Sequence, residues 1–171
     1  MGCDPEPFVG DVFLDTDDEL QNYPGHVSIT GNLVIYQLEA AQDLGPLECL
    51  REVGGNVELR NNPALQRLDG LDELRTVGGY LYLLGNPSLQ SLAGLEALEQ
   101  TGDFLFVEDH QSLTSFVLPS LETIGGRLRV WNDPQVTSIE LPAIAGAAVA
   151  PGSTVAAALW PDAIGAGGAL A

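Results

Sequence analysis

The sequence predicts an all-β fold: a right-handed parallel β-solenoid with about five rungs of 23–24 residues. Three observations predict it. Similar segments recur at a fixed period, as TGNLVIYQL from Thr30, GGNVELRNNPAL from Gly54, GGYLYLLGNPSL from Gly78, GDFLFVEDHQSL from Gly102 and GGRLRVWNDPQV from Gly125. Each unit carries three apolar pairs at constant positions. Glycines precede the first pair, and Asn-Pro or Asp-Pro follows it, with the same regularity.

The first pair has the alternation of a strand: Leu33/Ile35, Val57/Leu59, Leu81/Leu83, Leu105/Val107 and Leu128/Val130. Strands are therefore expected at 32–36, 56–60, 80–84, 104–108 and 127–131. Leu65/Leu68, Leu89/Leu92, Leu113/Phe116 and Val136/Ile139 form the second pair, and Leu50/Val53, Leu74/Val77, Leu98/Thr101 and Leu121/Ile124 the third. Three inward sides per unit describe a triangular coil whose stacked strands lie about 4.8 Å apart. The glycines at 54–55, 78–79 and 125–126 are expected at corners that need positive φ. Asn62-Pro63, Asn86-Pro87 and Asp133-Pro134 fall where a side chain can bond the backbone and proline can fix a turn. His110 occupies the same turn column, which favours a turn role for it. The last two units are one residue shorter, because Gly-Leu at 70–71 and 94–95 becomes Leu-Pro at 118–119 and 141–142.

The chain divides into an acidic leader or cap (1–25), the solenoid (26–147) and an Ala/Gly-rich tail (148–171). Residues 1–22 hold seven acidic residues and no basic one. The run Asp15–Glu19, DTDDE, lacks the glycine and distal glutamate of a calcium loop, so a solvated leader covering the first rung is expected. The tail either caps the last rung poorly, through Val155, Leu159 and Trp160, or lacks order. No apolar run reaches the length of a membrane span.

Charge and composition exclude several functions. Six arginines and no lysines stand against 24 acidic residues, a net charge of −18. Such a charge repels nucleic-acid phosphates. With two cysteines, two histidines and no CxxC pair, no metal or other cofactor is expected. Catalysis is not expected either. Glu58 and Glu108 share an outward face but lie two rungs apart, about 10 Å, near the upper limit for an inverting carboxylate pair. His26 and His110 are separated by more than three rungs, and no nucleophile–histidine–acid triad suggests itself. Cys3 and Cys49 leave three states open: a disulfide, free thiols, or acylation of Cys3.

Alternation sends one set of residues outward. Tyr80, Tyr82, Leu84, Phe104, Phe106, Arg127, Arg129 and Trp131 gather on the third to fifth rungs. This is the candidate ligand-binding face, rings supplying apolar area and arginines pairing with a partner's carboxylates. Two other readings stay open. Aromatic ladders also stabilise stacked strands, and the tail or a second copy could cover the face.

The repeat is not the standard leucine-rich pattern, which wants leucine where Ser88 and Gly78 stand; here the leucine falls at Leu89. ITGNLVI, from Ile29 to Ile35, and the recurring LxxVGGxLxLxxNPxLxxLxGL resemble the receptor L-domain family over residues 26–147. That family comprises right-handed β-solenoid lobes of cell-surface receptors and similar domains of bacterial extracytoplasmic proteins. The resemblance implies a non-enzymatic recognition module, extracellular or at a bacterial surface, that binds a protein ligand or a second copy of itself. A carbohydrate-binding or carbohydrate-active solenoid, or a structural surface lipoprotein, is the alternative. Receptor members usually carry a cysteine just ahead of the opening rung, paired with one near the start. Here His26 stands in that place, which leaves Cys3 without that partner and favours the bacterial type. Acylation of Cys3 would be the only link to a membrane.

Overall fold

The computed structural model describes residues 2–137 and 139–144 together with the short strand Val155–Ala156. The rest of the tail, including Leu159 and Trp160, lies outside the described residues. The chain coils into stacked turns whose strands pair in parallel throughout. A first rung comes from the leader, where β1 (Val12–Leu14) is followed by the short helix α1 (Asp17–Gln21). Beyond it, each turn contributes a two-residue strand and then a four-residue one. The short strands are β2 (Ser28–Ile29), β4 (Glu52–Val53), β6 (Thr76–Val77), β8 (Gln100–Thr101) and β11 (Thr123–Ile124). The longer ones are β3 (Leu33–Tyr36), β5 (Val57–Arg60), β7 (Leu81–Leu84), β9 (Leu105–Glu108) and β12 (Leu128–Trp131). The third side is mostly turn, with β10 (Phe116–Val117) pairing β13 (Ile139–Glu140).

The long sheet runs β1-β3-β5-β7-β9-β12-β14, where β14 is Val155–Ala156. Its register equals the sequence period: Leu33 faces Val57, Val57 faces Leu81, Leu81 faces Leu105, and Leu105 faces Leu128. The all-β solenoid read from the repeat is thus the observed fold, and each long strand starts one residue later than its expected span. Apart from Ile139, the three sets of apolar pairs point into one continuous core, which Leu71, Leu95 and Leu118 join. Ile139 departs from the expected inward set and is 40% exposed. It lies at an end of the third side, where no described strand stacks upon β13.

The corner glycines correct the expectation of positive φ. None of Gly54, Gly78 and Gly125 adopts it. Glycine is needed there because the rungs touch: a Cβ on Gly54 would lie 2.6 Å from the Thr30 carbonyl oxygen, and one on Gly78 would meet the Gly54 carbonyl. The left-handed positions form another column, just after each long strand: Gln37, Asn61, Gly85, Asp109 and Asn132, with φ of 57°, 55°, 64°, 63° and 54°. Asn and Asp tolerate this conformation better than most side chains.

One residue further on, a buried polar ladder climbs the core. The Asn62 side-chain oxygen accepts from Leu38 N–H (3.0 Å), and that of Asn86 from Asn62 N–H (3.0 Å). Their amide groups donate to the carbonyls of Ile35 and Leu59. His110 and Asp133 continue the column, fully buried. Asn86 Nδ2 can only donate, so His110 Nε2 accepts from it at 3.3 Å, and the ring proton sits on Nδ1, 2.9 Å from Asp133 Oδ1. His110 N–H donates to that same oxygen at 2.7 Å. Asp133 Oδ2 is buried with no partner, at the place where Asn62 and Asn86 carry an NH₂ donor.

The leader packs on the first rung through specific contacts while most of its residues stay exposed. Bridges Asp4–His26 and Phe8–Ile29 lead into β1, whose Val12 faces Leu33. Thr16 and Glu19 form a reciprocal capping box, and buried Leu20 closes the core beneath. The Asp17 carboxylate accepts from Ala40 and Ala41 N–H at 3.0 and 2.8 Å, fastening α1 to the next turn. Asp17 and Glu19 of the DTDDE run are therefore engaged with backbone donors. Of the three states open to Cys3, the structure has the disulfide, to Cys49. Its sulfur is then closed to acylation. His26 packs between Phe8 and Tyr23, with ring centroids 5.4 and 5.9 Å away.

Two stability outcomes follow from this packing. Leu83→Ala should cost about 2–5 kcal/mol in urea melts and Tyr80→Ala less; equal losses would contradict the assignment of faces. Asp133→Asn keeps the Oδ1 acceptor and places a donor where an oxygen now has no partner. It should stabilise by about 1–2 kcal/mol, and a lowered urea midpoint would show that the carboxylate charge is needed to hold His110.

Candidate binding face

The outward side of the long sheet changes character along the stack. At its first rungs, the position just before each strand carries a polar column. Asp11 accepts from Asn32 N–H (2.7 Å), Asn32 from Asn56 N–H (2.8 Å), and Asn56 from Tyr80 N–H (3.1 Å). At Tyr80 the column turns aromatic. The Tyr80 and Phe104 rings stack at 4.4 Å and 6°, because parallel in-register strands place one directly above the other. Phe104 continues onto Phe106 at 4.1 Å and 25°, and Tyr82 meets Phe106 edge-on at 6.3 Å. The Arg129 guanidinium lies over both Phe106 (5.9 Å) and Trp131 (5.4 Å). The four rings and Arg129 are therefore one connected surface, with Leu84 half-buried beside it.

Two carboxylates are woven into it, each gripped by an arginine and a tyrosine. Glu58 pairs with Arg60 Nε at 2.9 Å and accepts a hydrogen bond from the Tyr80 hydroxyl. Glu108 pairs with Arg129 Nε at 3.2 Å and accepts from the Tyr82 hydroxyl at 3.4 Å. Glu108, read from alternation as an outward residue, is buried: Arg129 and Tyr82 close over it, leaving its side chain 10% exposed. The Glu58 carboxylate pushes the Tyr80 phenol up to about 12, because ionisation would break the hydrogen bond and set two anions together. Tyr82 is also raised, by burial first and then by the Glu108 charge.

All eight expected face residues lie on this side of the sheet. Tyr80, Tyr82, Leu84, Phe104, Phe106 and Arg129 are half-buried, while Arg127 and Trp131 are exposed. The clusters Glu58–Arg60–Tyr80 and Glu108–Arg129–Tyr82 were missed by sequence reasoning. Their acidic members could be placed on this side from alternation, but the contacts join neighbouring columns across rungs. Rigid aromatic area with oriented polar groups can stack on a partner and hydrogen-bond at its rim. No family model, curated protein or solved structure matches the chain.

The raised phenols set an alkaline limit. Below pH 10, the ordinary phenol value, Tyr80 is neutral in both folded and unfolded chains and its contribution is intact. Between 10 and about 12 the unfolded phenol ionises first, so stability falls as pH rises. Buried Tyr23, also raised to about 12, adds to the same fall. Glu58→Gln should flatten the loss in urea melts across that window by relieving Tyr80 alone. An unchanged slope would remove Glu58 as the cause.

Proposed function

We propose that the protein is a non-enzymatic recognition module, of the receptor L-domain type, that binds a protein ligand through the outward face of β7, β9 and β12. The observation that carries this reading is the connected surface of Tyr80, Phe104, Phe106 and Tyr82, stacked ring on ring, half-exposed and continued by Arg129 and Trp131. Ring stacking contributes about 0.5–1.5 kcal/mol per pair to the fold. That alone does not call for the exposed Trp131 at its margin, 47% accessible, or for arginines in a protein with so few cations. Aromatic and arginine side chains held in place are the groups that dominate protein interfaces. An extracytoplasmic setting fits the resemblance, and the Cys3–Cys49 disulfide accords with an oxidising compartment. Recovery from the native host with both thiols free would place the protein elsewhere.

Carbohydrate is the second reading, because ring faces also stack on sugars. A pull-down from native surface extract, set beside a glycan array, separates the two. A protein partner should be retained by the wild type and weakened about tenfold or more by each of Tyr82→Ala, Phe106→Ala and Arg129→Ala. Unchanged affinity in all three would reduce the face to a stabilising ladder. Glycan binding lost in the same variants would reassign it to sugar.

A further inference from the structure

Of the six arginines, five have carboxylate partners: Arg51 with Glu73, Arg60 with Glu58, Arg67 with Asp43 and Asp69, Arg75 with Glu99, and Arg129 with Glu108. Arg127 has no acidic partner among the described residues, although acidic residues outnumber arginines four to one, 24 against 6. It is exposed and stands one rung beyond Phe104, since Leu105 faces Leu128 in the adjoining register. Arg127 immediately precedes β12, which carries Arg129 two residues on. Alternate residues of a strand share a side and lie about 6.6–6.8 Å apart. Arg129 is held by Glu108 below and by the rings of Phe106 and Trp131, so its remaining N–H groups are oriented before anything binds.

From this geometry we infer that the face selects an acidic, extended segment of its protein partner, with Arg127 as the residue that reads the carboxylate. The inference rests on the recognition reading above and adds the charge of the ligand to it. Two acidic side chains on alternate residues of an extended peptide repeat at the spacing of Arg127 and Arg129. An apolar residue two further along would reach Trp131. The molecule as a whole repels anions, so selection must act at short range, where a guanidinium–carboxylate hydrogen bond outweighs a screened net charge. An unpaired arginine here also disfavours a basic partner, which the remaining acidic surface would otherwise attract without discrimination.

The test uses the full chain and amide NMR shifts on β9 and β12, at low and at physiological salt. The probes are the peptide Ac-Asp-Thr-Asp-Thr-Phe-NH₂, its Asn-for-Asp and Lys-for-Asp counterparts, and an oligogalacturonate. The acidic peptide should bind about tenfold more tightly than the Asn peptide. Arg127→Gln should abolish that preference, bringing the acidic peptide down to the affinity of the Asn peptide, and added salt should shrink the wild-type preference. If the peptides bind equally and Phe106→Ala weakens them all, the role of Arg127 is overturned and the recognition face stands. Preference for the oligogalacturonate would overturn a peptide ligand in favour of an acidic sugar. If no probe shifts β9 or β12, the acidic-segment inference fails, and the partner affinities of the Tyr82, Phe106 and Arg129 variants decide the wider reading separately.

Discussion

Every rung sits about 4.8 Å above the last, and in register, so whatever a side chain does in one turn must be compatible with a neighbour of the same kind directly above it. That spacing governs the rest of the molecule. It brings Gly54 against the carbonyl of Thr30 and Gly78 against that of Gly54, which leaves no room for a Cβ. It lets Asn62 and Asn86 hand hydrogen bonds up the core and lets Tyr80 and Phe104 stack nearly flat. It also sets Arg67 against Asp43 and Arg75 against Glu99, each pair 24 residues apart.

The outward face follows the same rule with different chemistry at its two ends. An amide column serves while the stacked groups can donate and accept in turn, as Asn32 and Asn56 do. Tyr80 takes the last such bond through its backbone N–H and then passes the stack on through its ring. Its hydroxyl, and that of Tyr82, are tied to Glu58 and Glu108. The rings are therefore fixed by packing on one side and hydrogen bonds on the other. A partner meeting such a surface would order few side chains, which lowers the entropic cost of association. The rigidity that stabilises the solenoid and the rigidity that suits a binding surface are the same property.

The long strands, the inward pairs other than Ile139 and the outward placement of the eight face residues were readable from the sequence, because each depends only on position within a repeat. Other features depend on what lies one rung away, and those were not readable. Glycine before a strand looks the same whether it needs positive φ or close approach, and only the Thr30 carbonyl distinguishes them. The burial of Glu108 needed Arg129 and Tyr82 from the flanking strands to be seen closing over it. The leader rung was obscured for another reason. Val12 and Leu14 pair correctly with β3, but they sit among acidic residues and lack the Asn-Pro that marks later units, with only Gly10 before them to continue the glycine column.

The disulfide has a directional consequence. A stack in which each turn touches only its neighbours melts like a zipper, from a free end inward. Cys3 and Cys49 enclose 46 residues of separation, and closing a loop of that size is worth up to about 4 kcal/mol by chain entropy. The clasp ties the leader rung to the turn beyond β3, so fraying from that side releases a closed loop instead of a free chain end and gains less entropy. The aromatic rungs lie further along the sheet, behind β1, β3 and β5. Reduction would open a second melting front at the acidic end, and that front would have to consume three strands before it loosened a single ring of the face.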